Sequence, residues 1–392
     1  MRVSNNKNKG YRKKIYKNEV CHRVVIKVGT NLLTAGTDRL DLEVMSKLVG
    51  QIARLHYRGV EVVLVSSGAM AAGRHELGLA RGRRKGRRDI PFKQVLASVG
   101  QHRLMYAYEQ LFAWQDIVVA QALLTKTDLS DRSGYLNARD TLLALLELKV
   151  VPIVNENDVV AVEEIKETKF GDNDNLSALV SNLVDADLLA LLGDVDGLYT
   201  ADPHLDPEAK LISRIDRIDR HVEDLAMGSA GQRGIGGMAT KLEAARLATS
   251  SGITVIIANG QEYEVITRLV GGEEIGTSFT PTASRLESRK RWMLSGLGCK
   301  GKVVIDDGAA EAIRTDKCSL LSAGIKEVQG EFHRGDVVEM MDARGHCVAR
   351  GMSSYGSEEL NIIKGAHSEQ INSFLGYEYG AEVVHRNNMA AL

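Results

Sequence analysis

The sequence predicts an α/β protein, with a mainly parallel sheet covered by helices on both faces and a small β-rich domain behind it. Three observations predict this. From residue 24 to about 280, strand-like runs alternate with amphipathic helical stretches. The strand runs are apolar throughout rather than alternating, as in strands buried on both faces. Beyond about residue 298 the runs shorten and glycine turns punctuate them.

Taken in order, Val24–Val28 is a buried strand, and Met45, Leu48, Val49 and Ile52 follow at helical spacing. Val60–Val65 is the second strand, with helical stretches around 92–113 and 135–148. Ile117–Ala122, Val150–Val154, Leu188–Leu192 and Thr254–Ala258 complete the strand set. Such sheets bind ligands beyond the carboxyl ends of their strands, so the polar segments that follow the strands are the places to look for chemistry. A charged connector, Arg285 to Arg291, leads to the shorter strands Lys302–Ile305, Val337–Met341 and His346–Arg350, with turns at Gly330, Gly335 and Gly345. The expected organisation is a basic extension 1–21, a catalytic domain 22–282, a linker 283–298, a β-rich domain 299–377 and a C-terminal tail 378–392.

Composition narrows the class. The chain has 392 residues, 44% hydrophobic and 26% charged, more than one compact core usually holds. A formal net charge of −1 gives no electrostatic case for nucleic acid or membrane. Cys21, Cys299, Cys318 and Cys347 have no metal-site spacing, which reads as reduced thiols in a cytosolic protein. The first twenty residues are polar and basic, without a secretory or membrane-spanning run, and read as a mobile tail. The basic run Arg81–Arg88 has no aromatic residue to stack on bases and reads as a solvated loop.

Six segments carry candidate chemistry. In Ile26-Lys27-Val28-Gly29-Thr30 a lysine interrupts a buried strand before a glycine, so Lys27 either snorkels to the rim or meets an anion, and the following backbone N–H groups can form an anion nest. Ser66-Ser67-Gly68 ends a strand either as an ordinary strand-to-helix turn with a serine cap or with donors suited to a carboxylate or phosphate. Asn155-Glu156-Asn157-Asp158 is either a solvated turn or a binding segment, in which Asp158 suits an ammonium and the asparagines a carboxylate. Gly171-Asp172-Asn173-Asp174-Asn175 precedes a helical run, with Asp174 a candidate N-cap. Gly193-Asp194 opens a turn-rich loop that can wrap a nucleotide. Gly234-Ile235-Gly236-Gly237-Met238-Ala239-Thr240-Lys241 joins a glycine loop to a lysine. The capping-box spacing of Thr240 and Glu243 makes Lys241 the expected opening residue of a helix. It is not a Walker A loop.

The order of these segments resembles the amino acid kinase family, and within it the branch that phosphorylates glutamate. The matching stretches are VVIKVGTNLLT, SSGAMAAGR, LNARDTLLALL, VPIVNENDVVA, GDNDNLSALV, GLYTADP, GGMATKLEAA and GYEYGAEVVHR. The C-terminal segment, with FHRGDVV from Phe332 to Val338, is similar to a PUA domain. The resemblance implies an αβα sandwich and transfer of phosphate from ATP to the γ-carboxylate of L-glutamate, opening proline synthesis. It also implies magnesium, feedback inhibition by proline and a homo-oligomer. Carried over residue by residue, it implies glutamate binding by Ser67, Asp158 and Asn173. ATP binding falls to Lys27, Gly193, Asp194 and the loop Ile235–Lys241, which includes Gly236, Gly237, Met238, Ala239 and Thr240. Lys27, Lys241 and Asp174 are the expected catalytic residues, and no side chain is assigned to a metal. The acceptor is already an anion, so no general base is required. The lysines are expected to neutralise charge on the transferring group, with Asp172 and Asp174 orienting them or helping to hold the ion.

The chain departs from the family pattern at Gly193 (usually Thr) and Ile235 (usually Thr), losing a hydroxyl at each, and carries extra residues at Glu167–Phe170. PUA domains elsewhere bind RNA, so the competing expectation is an RNA-binding protein with a regulatory kinase-like domain.

Overall fold

The computed structural model describes residues 21–79, 90–161, 172–203, 205–228, 237–281, 299–316 and 318–391. The basic extension (apart from Cys21), the basic run 81–88, the inserted residues 167–170, the linker 283–298, and Ile235 and Gly236 lie outside the described residues. The chain divides into two compact units: residues up to Thr125 with Leu142–Thr282, and Lys126–Thr141 with Ala283–Leu392.

The first unit is built on an eight-stranded sheet. Its strands are β1 (Arg23–Val28), β2 (Glu61–Ser66), β3 (Val119–Leu124), β4 (Val151–Glu156), β5 (Leu188–Gly193), β6 (Arg214–Ile215), β7 (Thr254–Asn259) and β8 (Thr277–Phe279), in spatial order β3-β4-β2-β1-β5-β7-β8-β6. Neighbours from β3 to β7 are parallel; β8 runs antiparallel to β7. The central strands β1, β4 and β5 are buried almost residue for residue, which is why their sequences are apolar without alternation.

The helices among the described residues of this part of the chain follow in order. They are α1 (Thr30–Thr34), α2 (Leu42–Tyr57), α3 (Ala69–Glu76), α4 (Ile90–Ala113), α5 (Lys126–Ser130), α6 (Arg132–Glu147), α7 (Asp172–Leu183), α8 (Arg220–Gly228), α9 (Gly237–Ser250) and α10 (Val265–Val270). Helix α2 starts where the Asp41 carboxylate accepts from the N–H groups of Glu43 and Val44, and it buries Met45, Leu48, Val49 and Ile52, the stripe its sequence spacing predicts. No described helix is long and apolar enough to cross a membrane.

Helices α3 and α4 cross backbone against backbone. A Cβ on Gly73 would lie 1.9 Å from the Leu96 carbonyl oxygen, and one on Gly100 would lie 1.7 Å from that of Ala69. No rotamer relieves a Cβ–backbone clash, so Gly100→Ala forces the helices apart. It is expected to lower the unfolding free energy by about 3 kcal/mol or more in chemical denaturation. Gly50→Ala, a control on α2 with open space apart from the Arg54 guanidinium at 3.9 Å, is expected to leave stability unchanged or raised.

The chain steps outward from β1 to β2 on one side and from β5 to β7 on the other. The connections therefore diverge between β1 and β5, the position in such sheets where ligands bind. The register levels Val28 with Ser66 and with Leu192, Val65 with Val154, and Gly193 with Asn259. Gly29, Ser67, Asn155 and Gly193 thus share one edge of the sheet.

The second unit holds a five-stranded sheet in the order β11-β9-β12-β13-β15 and a two-stranded pair β10-β14. The strands are β9 (Gly301–Ile305), β10 (Leu320–Leu321), β11 (Ile325–Gln329), β12 (Val337–Met341), β13 (Cys347–Met352), β14 (Glu382–Val384) and β15 (Met389–Ala391). Val303, Ile305, Phe332, Met340, Tyr355 and Val383 are among its core. Gly330, Gly335 and Gly345 all have positive φ, as their turns require. One expectation is corrected. The segment 378–392 is not a tail, because it supplies β14 and β15. By its contacts Lys126–Thr141 groups with the second unit, where Arg132 meets Asp336 at 3.2 Å and Arg334 meets Asp140 at 2.8 Å. Neither feature is visible locally: a three-residue strand has too few residues to show a period, and these ion pairs join distant segments.

Candidate active site

Asp174 organises the site. It sits in the first turn of α7, fully buried, and each carboxylate oxygen faces a different lysine. Lys27 Nζ lies 2.6 Å from Oδ1, and Lys241 Nζ lies 3.0 Å from Oδ2. The Thr240 hydroxyl donates to Oδ2 at 3.0 Å and to the Gly237 carbonyl at 3.1 Å. Burial pushes the Asp174 carboxyl up, but the two ammonium groups outweigh it and hold the group below the usual carboxylate range. Two lysines against one carboxylate leave the cluster with one net positive charge in a poorly solvated place, a cost that an anionic ligand offsets.

This arrangement answers the question left open for Lys27: the side chain meets an anion and stays buried, only 4% exposed. Asp174 is not an N-cap, because α7 begins two residues before it and its oxygens turn away to the lysines. Lys241 does not open its helix either. Helix α9 already starts at Gly237, and Thr240 spends its hydroxyl on Asp174 and Gly237 rather than on a capping box. In both places a polar residue at a helix start suits a cap by spacing, yet a buried partner across the fold wins.

Glycines keep the approach open. A Cβ on Gly29 would stand 3.8 Å from Lys27 Nζ, and one on Gly193 would stand 3.5 Å from Lys241 Cε. The Gly29 N–H itself donates to Leu192 O at 3.1 Å, so it is committed to the sheet and takes no part in an anion nest. Asp194, beyond β5, accepts from Asn31 Nδ2 at 3.0 Å and ties the two diverging loops together. Met238, half-buried, and Ala239, exposed, occupy the first turn of α9. Ile235 and Gly236 lie outside the described residues, as does the side chain of Asp172.

Beside the charged cluster lies an amide network. Asn173 Nδ2 donates to Ser67 Oγ at 2.9 Å, to Asn155 Oδ1 at 3.0 Å and to the Ser66 carbonyl at 3.3 Å. Asn155 Nδ2 donates to Gln101 Oε1 at 2.6 Å. Ser66 is braced from behind by the buried Tyr108 hydroxyl at 2.9 Å. The structure therefore brings Ser67 and Asn173 into direct contact. Asp158 stands in the turn after β4, with no hydrogen bond or ion pair to any described residue, and desolvation pushes its carboxyl up to about 6. Asn155 serves the network, while Asn157 works through its backbone: its carbonyl accepts from Val160 and Ala161.

Gln101 escaped the sequence reading. Nothing in the pattern of α4 marks it. It reaches Asn155 from the residue next to Gly100, where α4 packs backbone to backbone on α3, and that glycine was the one nearby signal in the sequence.

Among the described residues no three His, Cys, Asp or Glu side chains gather as a metal site. The side chains brought together here are two ammonium groups on one shared carboxylate and, beside them, a neutral amide cluster.

The pattern of the amino acid kinase family matches residues 22–259, and that of the PUA domain matches residues 301–375. A glutamate 5-kinase of Dehalococcoides mccartyi is 54% identical, covering 96% of this chain and 100% of the relative. A glutamate 5-kinase of Herpetosiphon aurantiacus is 51% identical over 94% of this chain and 98% of its own. One of Shewanella amazonensis is 50% identical over 94% of this chain and 96% of its own. With two lysines on one buried aspartate at the divergence of a parallel sheet, and family patterns matching both of its units, this chain belongs to the amino acid kinase family and carries a PUA domain behind the kinase domain.

Proposed function

We propose that the protein transfers the γ-phosphoryl group of ATP to the γ-carboxylate of L-glutamate, giving glutamyl 5-phosphate. The observation that carries this reading is the Lys27–Asp174–Lys241 cluster. The nucleophile is an ionised carboxylate, so no base has to remove a proton. What the reaction needs is two anions brought together and charge on the transferring group neutralised. Lys27, rising from β1 at the glycine-lined opening, serves the β- and γ-phosphates. Lys241 serves the leaving side, and Asp174 fixes both ammonium groups before substrate arrives. Gly193, Asp194 and the first turn of α9 line the nucleotide side.

Asp158 and Asn173 take the substrate ammonium, and Ser67 lies beside them. Desolvation leaves Asp158 short of a counter-charge, and an α-ammonium group supplies it. Magnesium fits this donor set if phosphate oxygens and water provide most of its ligands, since both oxygens of Asp174 are engaged by lysines. Bound so, it supplies further neutralisation of phosphate charge. Feedback inhibition by proline, a homo-oligomeric state and a cytoplasmic location belong to the same reading, on the strength of the resemblance. The full-length match to glutamate 5-kinases favours it over an RNA-binding protein with a regulatory kinase-like domain.

The test is ATP turnover with glutamate, aspartate or N-acetylglutamate as acceptor. Glutamate alone is expected to support rapid turnover. Aspartate holds its carboxylate one methylene short, and N-acetylglutamate has no ammonium to offer Asp158. Preference for either competitor overturns the assignment.

A further inference from the structure

The amide network has fixed polarity, and it ends in two unused groups. A backbone N–H can only donate, and that of Glu156 donates to Asn155 Oδ1 at 2.9 Å. Asn155 Oδ1 is therefore the acceptor, and its Nδ2 is the donor to Gln101 at 2.6 Å. The Gln101 atom facing Asn155 must then be Oε1, which turns Nε2 away from the network. At the other end, Asn173 presents Nδ2 to Asn155, Ser67 and Ser66, which turns its Oδ1 away. Gln101 Nε2 and Asn173 Oδ1 are both buried and both without a hydrogen-bond partner among the described residues. A buried polar atom of either kind left without a partner is costly, so a pair of them beside a binding site calls for a ligand.

The two orphans are opposite in kind, one donor and one acceptor, held by a single rigid chain of amides. A free α-amino acid carries the complementary pair on one carbon: a carboxylate that accepts and an ammonium that donates. We propose that Gln101 is a specificity-determining residue that donates from Nε2 to the α-carboxylate of the amino-acid substrate. Asn173 Oδ1 accepts from its ammonium. This deepens the glutamate reading and rests on it. It leaves the γ-carboxylate as the end that reaches Lys27 and Lys241. Gln101 lies on α4 next to Gly100, so the α-amino-acid end of the site is held from the helix layer.

The test is Gln101→Glu. The introduced carboxylate keeps an acceptor for Asn155 Nδ2 and keeps the side-chain shape, but it turns an acceptor toward the substrate where a donor stood. With L-glutamate the KM is expected to rise about 10- to 100-fold, with kcat and the KM for ATP little changed. With the α-amide of glutamate, whose amide can donate to the new carboxylate, the loss is expected to shrink or reverse. The preference for glutamate over its α-amide should therefore collapse. Gln101→Met, which removes the donor without adding charge, is expected to raise the glutamate KM about 10-fold and decides the matter should the first variant not fold. An unchanged glutamate KM in a folded variant overturns the proposal. So does a fall in kcat at unchanged KM, or in Gln101→Glu an equal loss on both substrates. Wild-type protein run in parallel keeps the two readings apart, because absence of glutamate turnover there defeats the glutamate assignment itself.

Discussion

Asp174→Asn is expected to lower kcat about 10²- to 10³-fold and to cost about 3 kcal/mol of stability. The substitution is nearly isosteric, so the cause is charge. Lys27 and Lys241 are 5% and 12% exposed at the side chain and share this one carboxylate. Without it, two ammonium groups stand close together in a poorly solvated place, and one of them is expected to lose its proton. The deprotonated lysine no longer stabilises the transferring phosphoryl group, so kcat falls more than either KM rises. Burial already draws Lys27 down, and the Asp174 charge is the main influence that opposes it. Denaturant titration near neutral pH measures the loss of stability, and turnover is measured where the variant remains folded. Wild-type kcat in the variant would remove Asp174 from the mechanism and leave it a packing role.

Asp158→Asn is expected to do the opposite to stability. This carboxyl has no described partner and titrates at about 6, against an ordinary value of 3.8. A raised carboxyl value means that the folded state holds the proton more tightly than the unfolded chain does. The ionised form therefore burdens the fold. The burden is absent below pH ~3.8, grows as pH rises and is complete above pH ~6. A rise from 3.8 to about 6 corresponds to roughly 3 kcal/mol, and partial solvent access reduces this to about 1–2 kcal/mol. The ligand-free variant should therefore melt higher than wild type above pH ~6, and the gain should fade toward pH ~4. Function moves the other way. The glutamate KM should rise about 10- to 100-fold, the value of one charge-assisted hydrogen bond, with less change in kcat. In wild type, kcat/KM for glutamate should fall as pH drops through about 6, because the protonated carboxyl no longer attracts an ammonium. A variant no more stable than wild type at neutral pH would show that Asp158 already has a partner. The two carboxylates thus separate by test: one is held down by two cations and supports the fold, while the other has no partner among the described residues and its charge weakens the fold.

Most strands were legible because each apolar run carries its own signal. Val24–Val28 and Leu188–Leu192 lie within β1 and β5, and the polar segments that follow them share the ligand-binding edge. The same local reading failed where a residue's partner lies in another element. Asp174 and Thr240 suited helix caps by spacing, and the structure gives them to a lysine cluster instead. The residues beyond 378 read as a tail because β14 and β15 are three residues each, and they gain their order only by pairing with β10 and β13.

The sequence by itself determined an α/β unit followed by a β-rich one, the loops in which anions are handled, and a pair of lysines suited to phosphate. Periodicity, glycine placement and helix-start chemistry act over a few residues, so they can be read from a few residues. Only the tertiary structure decided that Lys27, Asp174 and Lys241 are one charged cluster, that Asp158 has no partner among the described residues, and that Gln101 hydrogen-bonds to Asn155. Those facts depend on burial and on distances between β1, α4, α7 and α9. Desolvation and Coulomb forces act on what the packed chain places side by side, and sequence spacing does not record that.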